Sequence, residues 1–303
     1  MILQLKDVNK SFEKKVLKEI NLEIEQGEII SILGKSGSGK STLLNIIAGF
    51  LQADSGSLEI NQEIIFNKKT YREPQERNIG FVFQNYALFP HLTVEKNLLF
   101  GVKKKNKTLV KELLEMVNLS GYEKKYPHVL SGGEQQRISL ARVLATDPDI
   151  ILLDEPFSSI DILLKTEIEK ELLALIKKSE KTAIFVTHDP KEAMAISDKI
   201  AFIEEGEIVQ YDTPQNIYHH PKSKSLASFF GIANFIEDRC YRLNQISLHK
   251  NEGMYKVRLE DALFRGEYYE LSITVDVDGK SYPFTVFDTD DFHTRQEFFI
   301  SLN

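Results

Sequence analysis

The chain has one cysteine, Cys240. That excludes a disulfide framework and a paired-thiol metal site. Cys240 reads instead as a small, partly buried side chain. There is no apolar run long enough to span a bilayer. The first residues, Met1 to Lys10, read as a strand with charges and lack the basic and apolar regions of a secretory leader. Positive charge is not in excess, with 38 Lys and Arg against 45 Asp and Glu and a net charge of −7. A mildly acidic chain is a poor match for nucleic acid, and none is expected as a partner. Internal repeats and low-complexity tracts are absent, and Lys103-Lys104-Lys105 reads as a solvated turn. These absences point to a cytoplasmic chain that meets a membrane only through a partner.

What is present is ordinary for a globular protein: 303 residues, 42% apolar and 27% charged, enough for a sizeable core and two domains. The first part alternates apolar strands with helical segments, the pattern of an α/β domain with a largely parallel sheet. Ile29 to Leu33, Ile150 to Leu153 and Ala183 to Val186 are wholly apolar, as strands covered on both faces are. Between them, residues of about 85–149 are mainly helical in pattern and read as an inserted helical subdomain. Gln215 to Phe230 has helical spacing, with a break at His220-Pro221. The remainder is β-rich. Leu271, Ile273, Val275 and Val277 alternate with polar residues, Asp278-Gly279 supplies a hairpin turn, and Pro283 places the returning strand at an edge or bulge. The expected division is 1–234 and 235–303, the second part being a small β-barrel.

Chemistry concentrates in a few runs. Gly34-Lys35-Ser36-Gly37-Ser38-Gly39-Lys40-Ser41 fits G-x-x-x-x-G-K-S/T, a pattern chance gives about once in a hundred chains of this length. It follows a strand and opens a helix. Backbone N–H groups there would cradle phosphates, Lys40 would add a point charge, the Ser41 hydroxyl would ligate Mg²⁺, and Thr42 could bond an α-phosphate. Asp154-Glu155 ends an apolar strand, where α/β sheets bind ligands. Asp154 would help hold Mg²⁺, and Glu155 would orient or deprotonate an attacking water. Leu130-Ser131-Gly132-Gly133-Glu134-Gln135-Gln136 offers a hydroxyl and open backbone N–H groups at the start of a helix, a second phosphate-binding surface.

Together these runs resemble the ATP-binding cassette (ABC) ATPases. LSGGEQQ matches their signature, and Ile150 to Pro156 matches their Walker B strand. The resemblance implies MgATP hydrolysis, with ATP and Mg²⁺ as ligands. It implies that Gln84, in FVFQNYALFPHLTV, contacts the γ-phosphate and Mg²⁺. It makes His188 the switch histidine, Asp161 the retained residue of the D-loop, and Phe12 the aromatic that stacks on adenine. Lys35 stands where relatives often have Pro. The signature, Ser131 to Glu134, would serve the nucleotide of a second copy in a head-to-tail homodimer.

Three roles fit such a chain: the ATPase of an importer, that of an exporter, or a soluble non-transport ABC ATPase. One cassette, no membrane span and no long heptad insertion argue against the last two. Phe229-Phe230-Gly231-Ile232-Ala233-Asn234 resembles the F-x-G-x-x-N junction of importer ATPases for iron(III), spermidine/putrescine, sulfate, molybdate and maltose. The β-rich tail resembles their oligonucleotide-fold-like (TOBE) domain. The resemblance therefore implies permease subunits as membrane partners, a solute-binding protein indirectly, and a place at the cytoplasmic face of the membrane.

Overall fold

The structure is a computed structural model. It describes residues 1–103, 106–158, 162–290 and 292–303, with backbone only for 162–164. The expectation for Asp161 lies outside the described residues. The chain forms two compact units, Met1–Pro214 and Gln215–Asn303.

The first unit runs β1 (Leu3–Ser11), β2 (Lys15–Ile24), β3 (Ile29–Leu33), α1 (Lys40–Ala48), β4 (Ser55–Ile60), β5 (Glu63–Phe66), β6 (Ile79–Val82), α2 (Val94–Leu98), α3 (Lys107–Met116), α4 (Gly132–Leu144), β7 (Ile150–Asp154), α5 (Ile162–Lys178), β8 (Thr182–Val186), α6 (Pro190–Ile196), β9 (Lys199–Glu204) and β10 (Glu207–Asp212). One sheet is antiparallel, in the order β2-β1-β4-β5. The other has the order β10-β9-β3-β8-β7-β6, and all its pairings are parallel except β9 with β10. β3 and β8 are buried at every residue. One core packs Ile30, Ile32, Leu152 and Ile184 against α1 and the antiparallel sheet. The opposite face, with Ile151, Leu153 and Phe185, packs on helical residues such as Leu98, Leu114, Ile138 and Leu172. The insertion between β6 and β7 holds α2, α3 and α4, where helical periodicity placed it.

α1 is short and is defined at both ends by backbone shape. Gly39 (φ 104) precedes it, and Gly49 (φ 89) closes it in the left-handed conformation that favours glycine. The buried Arg77 guanidinium donates to the carbonyls of Ile46 (2.7 Å) and Ile47 (2.9 Å), placing a cation at the negative end of the helix. A Cβ on Gly49 would lie 2.6 Å from the Arg77 Nε, so glycine leaves room for that cap.

The second unit contains α7 (Pro214–His219, from its second residue), α8 (Lys224–Phe229), β11 (Asn234–Ile236), β12 (Arg239–Tyr241), β13 (Ile246–His249), β14 (Tyr255–Phe264), β15 (Tyr269–Val277), β16 (Lys280–Asp288) and β17 (Glu297–Leu302). The helix break at His220-Pro221 and the β15–β16 hairpin lie where expected. Asp278 (φ 49) and Gly279 (φ 77) both have the positive φ of a type I′ turn. The strands form an antiparallel sheet in the order β13-β17-β14-β15-β16. Among the described residues this order ends on β13 and β16. Asn234 covers part of one edge: its side chain donates to the Thr285 carbonyl (2.9 Å) and accepts from the Thr285 N–H (2.7 Å).

The division also falls earlier than residue 234. Buried Arg242 explains this. Its guanidinium donates to the carbonyls of Tyr218 (3.0 Å) and Ala227 (2.9 Å), and it stacks 4.2 Å from the Tyr218 ring centroid. These bonds fasten α7 and α8 to the strands that follow them.

Candidate functional site

The parallel strands bring the motif residues to one edge. β3, β6, β7 and β8 point the same way, with Ile32 beside Val186, Asp154 beside Val186, and Val82 beside Leu153. Their carboxyl ends therefore lie together, the edge at which open α/β sheets take ligands. Gly34 follows β3, Glu155 follows β7, and Thr187 and His188 follow β8. Gln84 lies just past the end of β6.

The loop after β3 is shaped by its glycines. A Cβ on Gly34 would meet the Ile203 carbonyl oxygen at 2.1 Å, and one on Gly39 would meet Leu17 Cδ2 at 2.7 Å. Only bare backbone fits there. Lys40 is buried, and its Nζ donates to the carbonyls of Gly34 (2.9 Å) and Lys35 (3.0 Å). Burial lowers the Lys40 pKa, while Glu155 and Asp154 pull it up. Burial raises the Asp154 pKa, the Glu155 charge raises it further, and Lys40 opposes both. One ammonium thus faces two carboxylates in a partly dry setting, and each buried charge costs free energy.

Glu155 has a left-handed backbone (φ 44), and its N–H donates to the Val186 carbonyl (2.9 Å). Its carboxylate Oε1 is 3.5 Å from His188 Nδ1. Behind His188 stands a network that sequence reading missed. Thr187 Oγ1 bonds Glu192, Lys165 from α5 pairs with Glu192 and with Asp189 (3.0 Å), and the Asp189 N–H donates to Thr187 Oγ1 (3.0 Å). Spacing gives no hint of Lys165, which comes from a different helix.

A cleft of about 440 Å³ opens at this edge. It is lined by Ser36, Gly37, Gly39, Lys40, Ser41 and Thr42 of the loop, by Phe12 and Val16, and by Glu155 and His188. Phe12 is 61% exposed, so it is not a core residue; its ring faces solvent and the cleft. Val16 is a lining residue that sequence reading did not name. Gly34 and Ser38 are buried beneath the loop, and Lys35 points outward, its Nζ 3.6 Å from Glu204. Gln84 is exposed and is not part of the cleft lining, nor is Asp154.

The run Ser131 to Glu134 is likewise outside the cleft lining. Ser131 caps α4: its Oγ accepts from the Glu134 N–H (3.3 Å), and the Glu134 carboxylate accepts from the Ser131 N–H (2.7 Å). Tyr122 donates its hydroxyl to Glu134 (2.8 Å). Burial acts against the Glu134 charge, but these hydrogen bonds outweigh it and hold the carboxyl below the usual range. Ser131 and Gly132 remain exposed.

Residues 17–158 match the family described as ABC transporter. The solved dimeric ATP-binding cassette MJ0796, in a post-hydrolysis state bound to ADP and Pi, is 34% identical. The match covers 70% of this chain and 99% of that one, with a TM-score of 0.59. The chain belongs to the ABC ATPases. A second similar structure is cbiO1 from Clostridium perfringens, part of the ABC transporter complex cbiONQ. It is 29% identical, the match covers 73% of this chain and 92% of that one, and the TM-score is 0.65. The protein is thus an α/β P-loop ATPase, the nucleotide-binding subunit of an ABC transporter. The Ser41 hydroxyl, the Asp154 carboxylate and the Gln84 amide are hard oxygen donors of the kind that suit Mg²⁺.

Proposed function

We propose that this ABC ATPase hydrolyses MgATP in the cleft and that a second copy completes the site. The observation that carries the proposal is the shared strand edge: Lys40, Glu155 and His188 line one opening, and Asp154, at the end of β7, acts electrostatically on Lys40. The loop from Gly34 to Thr42 binds the phosphates, and Phe12 stacks on adenine. Lys40 leaves its bonds to the loop carbonyls for the β- and γ-phosphates. Ser41, Asp154 and Gln84 hold the Mg²⁺ of the substrate. Glu155 orients the attacking water and takes its proton, and His188 keeps Glu155 and the γ-phosphate in register. The reaction is in-line attack of water, helped by positioning and by charge stabilisation.

Ser131 to Glu134 serve the nucleotide of the second copy. Ser131 and Gly132 are exposed, and the run lies outside its own cleft lining, which supports this arrangement, as does the dimeric MJ0796. Asp161 would add to the same interface.

Closure of the dimer would move permease subunits of an importer at the cytoplasmic face of the membrane. Among the described residues no helix is long and apolar enough to cross a membrane, and we assign the spans to the permease partners. The surface from Gln84 to His91 is the docking region, and the exposed aromatics Phe50, Phe83 and Phe100 in this unit suit an apolar partner segment. The importer reading rests on the junction at Phe229 to Asn234 and the β-rich tail. Iron(III) and polyamines are the nominated solutes, delivered by a solute-binding protein. The test of hydrolysis is Glu155→Gln, which should bind ATP, turn over slowly and accumulate as a dimer. Near-normal turnover overturns the assignment. The test of direction is solute uptake by cells with and without the chain, and uptake that does not depend on it overturns the importer reading.

A further inference from the structure

The segment after Gln84 is held in a costly shape. Tyr86 (φ 60) and Ala87 (φ 47) are consecutive non-glycine residues in the left-handed region, where each L-residue loses roughly 1–2 kcal/mol. Such a shape persists only where the surroundings impose it. Here α4 imposes it. Ser139 Oγ donates to the Tyr86 carbonyl (2.9 Å), and the Arg142 guanidinium donates to the carbonyls of Ala87 (2.7 Å) and Tyr86 (3.3 Å). α4 is the helix that the exposed Ser131 turn begins. The Tyr86 side chain is buried, and its hydroxyl has no hydrogen-bond partner. That hydroxyl lies 3.9 Å from where a Cβ on Gly132 would stand. The same residue therefore reaches both ends of the connection, its carbonyl held by Ser139 and Arg142 and its hydroxyl beside Gly132.

We propose that Arg142 and Ser139 latch the Gln84 loop to α4, so that Tyr86, wedged beneath Gly132, carries the position of that loop to the surface offered to the second subunit. These are positioning residues: none of them meets the nucleotide. The inference rests on the reading that Gln84 senses the γ-phosphate and that Ser131 to Glu134 serve the other copy. Its consequence is that occupancy of one site is felt at the other. A rigid latch turns a small shift at Gln84 into a shift at Gly132, whereas a loose one lets the loop relax into ordinary backbone conformations.

The experiment uses the full chain and four variants: Arg142→Met, Arg142→Lys, Ser139→Ala and Gln84→Ala. ADP affinity is measured by titration calorimetry, and hydrolysis is followed against ATP concentration. Wild type should show a sigmoidal ATP dependence. Arg142→Met should keep ADP affinity within about twofold, raise the ATP concentration for half-maximal rate about tenfold, and lose the sigmoidal shape, a coupling loss in the usual range. Arg142→Lys should recover part of it, since an ammonium cannot bond both carbonyls as the planar fork does. Ser139→Ala keeps the guanidinium and should give a smaller shift in the same direction. It also serves as the readout should Arg142→Met fail to fold. A wild-type sigmoid and half-saturation in both Ser139→Ala and Arg142→Met overturn the latch. So does a fall in ADP affinity that matches the fall in rate. If Gln84→Ala itself behaves as wild type, the sensing role of the loop fails, and the latch fails with it.

Discussion

The cleft and the Ser131 turn are built on opposite plans. At the strand edge that forms the cleft, Lys40 and Asp154 are drawn out of water and their ionised forms are disfavoured by burial. At the turn, Ser131 and Gly132 stand in solvent, and the rigidity comes from behind. The Ser131–Glu134 capping box, the Tyr122 hydroxyl and the Tyr86 ring brace it from the protein side. The difference follows from what each surface must do. Groups that stabilise developing charge gain strength from a low dielectric. A surface that meets a second subunit needs access, so it can be fixed only from within. Under the proposed function the cleft is the half of an ATP site that acts, and the turn is the half that is lent.

The comparison breaks first at Glu155. Glu155→Gln keeps the shape and the His188 contact distance while removing the base. The expected loss is about 10²–10³ in kcat, roughly 3–4 kcal/mol, the usual cost of one preorganised group, with ATP affinity retained. Single-turnover kinetics on the purified chain measure it. The lent half is tested at Gly132. A Cβ there meets nothing closer than the Tyr86 hydroxyl at 3.9 Å, so Gly132→Ala should fold normally. Gly133 is a poorer choice, because its Cβ would press on Ile168 Cδ1 at 2.9 Å. A bulkier Gly132→Arg should block the second subunit's nucleotide and abolish turnover, with an unchanged unfolding temperature. Mixing it with Lys40→Ala should restore turnover that neither variant shows alone, because one composite site per heterodimer is then intact. No restoration means that the halves do not come from different copies.

How much of this was legible in the sequence differs between the two halves. That Gly34 to Thr42, Asp154, Glu155 and His188 would meet at one strand edge was legible, because the motifs sit directly after apolar runs that read as parallel strands. Their convergence follows from parallel strands, which apolar runs such as Ile150 to Leu153 announce. What supports them was not readable. Lys165, Tyr86 and Arg142 act through contacts between elements distant in sequence, and buried polar pairing has no period. The boundary between the units was misplaced for the same reason. The helical spacing of Gln215 to Phe230 shows two helices but not their owner, and Arg242, which decides it by bonding Tyr218 and Ala227, reads as one more arginine. The hairpin at Asp278-Gly279 was legible because it is local, whereas the strand order β13-β17-β14-β15-β16 is a long-range property that no period in the sequence carries.

The next sharpening concerns the support behind His188. Glu192 is buried, and Lys165 is its cationic partner. Burial acts against the Lys165 charge, but the bonds to Glu192 and Asp189 outweigh it and raise its pKa. Lys165→Met should leave an uncompensated carboxylate and cost about 3 kcal/mol of stability. It should also slow turnover about tenfold by loosening the loop that carries His188. Adding Glu192→Gln removes the stranded charge and should return most of the stability but little of the rate. Thermal unfolding together with kcat separates the two effects. A double variant that recovers rate and stability in step would reduce the network to scaffolding.

The smallest expected effect tests whether the cleft is held at a cost. The Asp154 pKa is raised in the folded subunit, first by burial and then by Glu155. A carboxyl whose folded pKa exceeds its unfolded one binds its proton more tightly when folded. Its ionisation therefore opposes folding: the contribution is neutral below the unfolded pKa, grows into a penalty as pH rises from the unfolded to the folded pKa, and is constant above that. Asp154→Asn removes it and should raise the Tm of the ligand-free subunit at pH 7 by about 2–4 °C, the shift that roughly 1 kcal/mol produces in a domain of this size. The gain should vanish as pH falls through the unfolded carboxylate range. Adding MgATP should reverse the order, stabilising wild type more than the variant, because only wild type keeps the carboxylate for the substrate's cation. A variant that is less stable than wild type without ligand at pH 7 would show that Asp154 serves the fold rather than the cation.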